Sequence, residues 1–211
     1  MALRTLPFRQ YNESDVINMF ALGTEYINNA VTDSGYGDAG VVVTVESGNL
    51  NLGPVIYDST FDSYLGKTDY PHVGVNQYPR VPLTVKPATS GNGLLGMTLL
   101  QTAKYDENGE KLLYYRQKAE DLMCLLPGQA VPIATRGMFS LTDAAYVGAV
   151  GIGSGLKLAS GVSGKLTGCA YTDVNKVATV FATGSRTPST SVSDQFAGTG
   201  TGNFAIVGLG L

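Results

Sequence analysis

The chain has a single imidazole, His72, and two thiols, Cys124 and Cys169. Acyl transfer of the serine or cysteine kind needs a nucleophile, a base and a group that orients the base. One histidine can support at most one such set. His72 lies in Tyr70-Pro-His-Val73 with no nucleophile beside it, so it reads as a loop or packing residue. A closed zinc site takes about four nitrogen or sulfur ligands, more than two cysteines and one histidine supply. The two cysteines could pair if the fold brought them together. The opening residues 1–10 carry no apolar core of a secretory leader, however, and reduced, structural thiols are the expected state.

The glycine clusters and the carboxylates supply the remaining candidate motifs. Gly151-Ile-Gly-Ser-Gly-Leu156 lacks the third glycine of the dinucleotide fingerprint and does not open a helix after a strand. Ser154 lacks a glycine two residues away on each side, as a nucleophile elbow requires. Asp106, Glu107 and Glu110 surround an Asn-Gly pair without the alternating oxygen ligands and closing Glu of a calcium loop. A pair of carboxylates for glycoside hydrolysis can be distant in sequence and stays open on spacing alone, although a chain with no Trp lacks the commonest sugar-stacking platform. The sequence therefore assigns no catalytic, cofactor-binding or metal-binding residue.

The composition is that of a turn-rich β protein. Charged residues make up 15% of the chain, against about 25% in an average soluble protein. Glycine contributes 27 of 211 residues, which suits short strands joined by tight turns. A formal net charge of -3 with scattered Lys and Arg argues against a nucleic-acid partner. No apolar run approaches the length of a membrane-spanning helix, and no membrane partner is expected.

Residues 1–12 read as an extended N-terminal arm, because Pro7 blocks regular pairing and apolar, basic and aromatic groups are mixed. Residues 13–211 form a single mainly-β domain, with a possible subdivision near 81–93. Asn12 could cap a short helix over 12–22, although Val16, Ile17 and Phe20 would also suit a strand. Short strands are expected at 41–45, 54–57, 83–86 and 94–100. The Asn-Gly turn at 106–109 should return as a strand over 111–115. Residues 116–122 hold the strongest helix formers, ahead of the stop at Pro127-Gly128. Strands then recur at 130–135, 137–141, 156–158, 165–167, 176–181 and 204–207, at the spacing of a small barrel or sandwich. Residues 58–80 are an irregular, Tyr-rich excursion, and 185–203 are a low-complexity linker, flexible loop or long hairpin tip.

Without a reacting group, the expected function is attachment to other proteins. Tyrosine gives large contact area at low entropic cost, and an extended segment can add to a neighbour's sheet. The candidate contact residues are Leu6, Phe8, Arg9 and Tyr11 in the arm, with Tyr64 and Tyr70 in the excursion.

The stretch Gly128-Gln-Ala-Val-Pro-Ile-Ala-Thr-Arg-Gly-Met-Phe-Ser-Leu141, then Gly155-Leu-Lys-Leu158, Lys176-Val-Ala-Thr-Val-Phe-Ala-Thr-Gly184 and Ala205-Ile-Val207, resembles the decoration (cement) proteins of tailed-phage capsids. The opening, residues 6–18, is similar to the start of head structural proteins of large contractile-tailed phages. The resemblance implies a small β-barrel that sits on the outer surface of the virion capsid, after assembly in the host cytoplasm, and bridges subunits of the major capsid protein. It implies a homo-oligomer, a trimer at three-fold positions, with no cofactor and no catalytic residue. Two alternatives stand beside it: another virion component, such as a tail-tube, fibre-base or head-completion protein, and a hydrolase or lyase on a β scaffold.

Overall fold

The computed structural model describes residues 4–46, 83–186 and 202–210. The strand expected at 54–57, the excursion 58–80 with His72, and most of the loop 185–203 lie outside the described residues. The molecule is mainly β, as the composition requires, with sixteen strands and one α-helix among the described residues.

The largest sheet has seven strands in the order β1-β11-β16-β15-β13-β14-β12 and curls as a half-barrel. Its members are β1 (Thr5–Gln10), β11 (Arg136–Thr142), β12 (Tyr146–Val147), β13 (Gly155–Leu158), β14 (Leu166–Cys169), β15 (Ala178–Arg186) and β16 (Gly202–Gly210). All of its pairings are antiparallel except that of β12 with β14. The second sheet runs β2-β10-β7-β5-β6-β3, built from β2 (Val16–Ile17), β3 (Ala21–Leu22), β5 (Val42–Val45), β6 (Thr84–Pro87), β7 (Gly96–Thr98) and β10 (Ile133–Ala134). A third, parallel sheet holds β4 (Asn28–Ala30), β8 (Gln101–Tyr105) and β9 (Cys124–Leu125).

The first two sheets share a core. Phe139, Leu141, Leu156, Leu166, Val180, Val207 and Leu209 from the large sheet meet Val42, Met97 and Ala134 from the second, with Leu99 just past β7. The other face of the second sheet is covered as well, by a core of Leu22, Val41, Val43, Val85, Val131 and Ile133. A middle layer buried on both sides explains why Val41, Val42 and Val43 are consecutive rather than alternating with polar residues. A third core, with Val31, Ala103, Leu112, Ala119, Cys124 and Leu126, lies under the third sheet and the helix.

Three local expectations need correction. The arm over 1–12 is extended, but Thr5–Gln10 pairs with β11 as the outermost strand of the large sheet. Pro7 is tolerated because an edge strand leaves one row of its N–H groups unpaired, and the register shifts between Thr5 and Arg9. No α-helix forms over 12–22. Asn12 makes no side-chain cap, Glu13–Asp15 is a single 3-10 turn, and Val16 and Ile17 pair with β10. Thr135 draws the chain into that pairing by donating its N–H and Oγ1–H to Asp15 O, at 2.9 and 3.0 Å. The Asn-Gly turn is present, with Asp106 Oδ1 accepting from Asn108 N (2.8 Å) and Glu110 N (2.7 Å). Past one bridge, Tyr105 to Lys111, the chain enters a 3-10 turn over Leu112–Tyr114 instead of a strand. That turn lets Leu112 and its neighbour Leu113 both reach the third core.

The helix forms where its formers are strongest, as α1 (Arg116–Asp121). It carries an exposed Arg116–Glu120 pair, buries Ala119, and sends Lys118 to the carboxylates of Asp106 and Glu107.

A buried polar network fastens the layers at the start of β1. Arg4 and Asp38 are 6% and 5% exposed, with Nε and Oδ2 3.5 Å apart. Arg4 also donates from Nη2 to Gly35 O (2.9 Å) and from Nη1 to Gly164 O (3.3 Å). Asp38 accepts in addition from Asn28 Nδ2 (2.7 Å) and Gly35 N (3.1 Å). Gly37 is required beside them, since a Cβ there would stand 2.4 Å from Thr102 O and 2.5 Å from Asn28 N.

Candidate protein-binding face

The outer surface of the large sheet follows from strand alternation. On β16, Ala205, Val207 and Leu209 turn inward, which leaves Phe204, Ile206 and Gly208 outward. On β11, Phe139 and Leu141 turn inward and Met138, Ser140 and Thr142 outward. The register aligns one continuous outer row across six strands: Gln10, Met138, Gly208, Thr179, Gly155 and Cys169. A second row joins Ser140, Ile206 and Ala182, and a third joins Thr142, Phe204 and Gly184.

Solvent-facing sides of antiparallel sheets are ordinarily polar, whereas here apolar side chains stand among Gln10, Thr142 and Thr179. Met138 is 44% exposed and Phe181 56%, while Phe204 and Ile206 are half-buried. Phe181 falls where the register shifts between Val180 and Ala182, and its ring lies across Gly208. A Cβ on Gly208 would come within 2.5 Å of that ring, so glycine lets the aromatic lie flat on the sheet. Charge stands at the margins, with Arg136 at the start of β11 and Lys157 on β13. An apolar centre with a polar rim is the anatomy of a protein interface.

The flank beside β13 is electrostatically settled. Lys157 Nζ lies 2.8 Å from Asp173 Oδ2, which holds the Asp173 carboxyl below its ordinary range and raises the Lys157 pKa. Burial and the nearby Asp173 charge push the Cys169 thiol up, so it is protonated at neutral pH. Cys124, in the third core, is pushed up to about 11 by burial. Both cysteines are free thiols. Among the described residues no group of three or more His, Cys, Asp or Glu is placed to hold a metal ion.

The residues singled out in the arm are engaged within the molecule. Leu6 is half-buried in β1. Arg9 donates from Nη1 to Leu99 O at 3.0 Å and stands 5.8 Å from the centre of the Tyr11 ring. Tyr11 stacks on Phe139 with centroids 6.0 Å apart and planes 15° apart. These contacts hold β1 on its own sheet, and what β1 offers a partner is its outer backbone edge. The Phe8 side chain, Tyr64 and Tyr70 lie outside the described residues.

Met138, Phe181, Phe204 and Ile206 were not singled out by the sequence reading. The signal was present: in Phe204-Ala-Ile-Val207 apolar residues occupy both parities of the strand, the pattern of a strand covered on both faces.

Comparison with known protein families, with curated proteins and with solved structures returned no match.

Proposed function

We propose that this chain is a virion structural protein that attaches to the outer surface of a tailed-phage capsid and bridges major capsid protein subunits, working as a homo-oligomer, with a trimer the favoured form. The observation that carries the reading is the apolar outer face of the seven-stranded sheet, where Met138 and Phe181 stand exposed beside Ile206 and Phe204. Full burial of one such side chain is worth about 1.5–3 kcal/mol, and covering several at once supplies a stable attachment. The resemblance to decoration proteins runs through the same strands, β11, β15 and β16, and supports the reading independently of the face.

The test is to add the purified protein to capsids stripped of their decoration and follow co-sedimentation and heat resistance. Binding with a gain in heat resistance is expected. Replacing Met138 and Phe181 together by Lys should weaken that binding at least about a hundredfold, the equivalent of roughly 2.8 kcal/mol. Failure of the unaltered protein to bind, or full binding by the double variant, removes the proposal. Among the described residues β1 is the outermost strand of its sheet, and that edge favours one second reading, a tail-tube protein that closes rings by edge-to-edge pairing. Rings of purified protein in negative-stain images would select it.

A further inference from the structure

At β4 and the loop that follows it, an open depression of ≈ 400 Å³ is lined by Glu25, Tyr26, Asn29, Asp33 and Tyr36, among others. We propose that this depression binds an organic cation, an alkylammonium or guanidinium group, in the corner between Tyr26 and Tyr36. The two rings meet nearly at right angles, with interplanar angle 79° and centroids 5.9 Å apart, and Tyr36 is exposed. In this edge-to-face pair an exposed aromatic face offers negative quadrupole density, the feature by which aromatic cages hold quaternary ammonium groups. Glu25 and Asp33 on the same lining add full negative charges.

The local field has the right sign. A hydrogen bond to the Glu25 carboxylate, then burial, then the charges of Glu25 and Glu46 push the Tyr26 phenol up to about 12. Arg4 is held by Gly35 O, Gly164 O and Asp38 and is not part of the lining, and Lys104, beside Asn29 in the register of β8 with β4, is not part of it either. The corner is also preorganised. Tyr26 closes a 3-10 turn over Thr24–Tyr26, and the loop bearing Tyr36 is tied through Asn28 and Asp38 by Gly37 N to Asn28 Oδ1 (3.0 Å), Ser34 Oγ to Asp38 Oδ2 (3.3 Å) and Gly35 N to Asp38 Oδ2 (3.1 Å). A rigid site loses little entropy on binding.

This inference does not depend on the capsid reading, and its test needs no capsid. The full-length protein is titrated at constant ionic strength with tetramethylammonium, with methylguanidinium and with the neutral analogue tert-butanol, following amide chemical shifts at Tyr26, Gly35 and Tyr36. At least one cation should give saturable shifts, with Kd on the order of 1 mM, and tert-butanol none. Saturation by tetramethylammonium alone identifies a small quaternary ammonium ligand, and tighter binding of methylguanidinium identifies an arginine side chain from a partner. Tyr36→Leu should weaken binding about fivefold, and Glu25→Gln, which keeps an acceptor for the Tyr26 phenol, about twofold. The proposal is overturned if neither cation saturates by tens of millimolar, if tert-butanol binds equally well, or if a folded Tyr36→Leu variant binds as the parent does.

Discussion

Strands β5 and β16 carry the same kind of sequence and meet different surroundings. In β5 and the residue before it, Val41 and Val43 pack into one core and Val42 into the other, so both faces of this run are covered by this chain, with Val45 at its end 43% exposed. In β16, Ala205, Val207 and Leu209 are covered in the same way, but Phe204 and Ile206 face outward beside exposed Met138 and Phe181. A run that is apolar at both parities reports that a strand is built for two covered faces. It does not report which molecule supplies the second cover.

The sharpest challenge to this comparison is at the joint between the two regions. Arg4, at the foot of β1, bonds to Gly164 in the β13–β14 connection, and Gly164 N donates to Ala88 O (2.8 Å) just past β6. Arg4→Ala leaves Asp38 as a buried charge without its partner, at an expected cost of about 3–5 kcal/mol in urea unfolding. A loss under about 1 kcal/mol would mean the layers do not depend on this fastening.

Next in size is a direct contrast between the strands. Val42→Ala removes two methyl-equivalents from a closed core and should cost about 2–3 kcal/mol. Ile206→Ala on the open face should cost about 1 kcal/mol or less in the isolated chain. Equal costs would show that the outer face is covered within the monomer.

How far the sequence carries a reader depends on where each element gets its stability. The glycine-bounded apolar runs of the large sheet and the helix at Arg116–Asp121 were legible because periodicity and propensity agree there with the tertiary structure. Residues 12–22 misled because an Asn followed by helical spacing is a local signal, while Thr135 and β10 act from 120 residues away. The returning strand at 111–115 misled for the same reason, since Leu112 and Leu113 answer to the third core. In the candidate site, Arg9 and Tyr11 have the chemistry of contact residues. Only the pairing of β1 with β11 reveals that their partners are Leu99 and Phe139.

A smaller effect separates covered from open ground electrostatically. Lys118 holds the Asp106 carboxyl below its ordinary value of 3.8, and Lys157 does the same for Asp173. For a depressed carboxylate the stabilisation is complete above 3.8 and is lost as pH falls through the lower folded value. Unfolding midpoints should therefore drop as the pH goes below about 4. Asp106 is 1% exposed and Asp173 18%. Asp106→Asn should flatten that drop more than Asp173→Asn, because solvent screens the more open pair. The reverse order would place the stronger field on the open face.

The smallest effect reads the open face directly. Cys169 ends the outer row of the large sheet and is partly exposed, whereas Cys124 is buried in the third core with its thiol pushed up to about 11. Thiolate is the reactive form, so access and residual ionisation together set the rate of alkylation. With iodoacetamide at pH 8, Cys169 should be modified first, and Cys124 only at the rate of local or global unfolding. If a partner covers the outer face, alkylation of Cys169 should slow at least about tenfold in the assembled particle, while Cys124 changes little. Unchanged reactivity at Cys169 in particles that contain the protein would mean that the partner lies elsewhere and that the apolar outer face of β11, β15 and β16 stays in water.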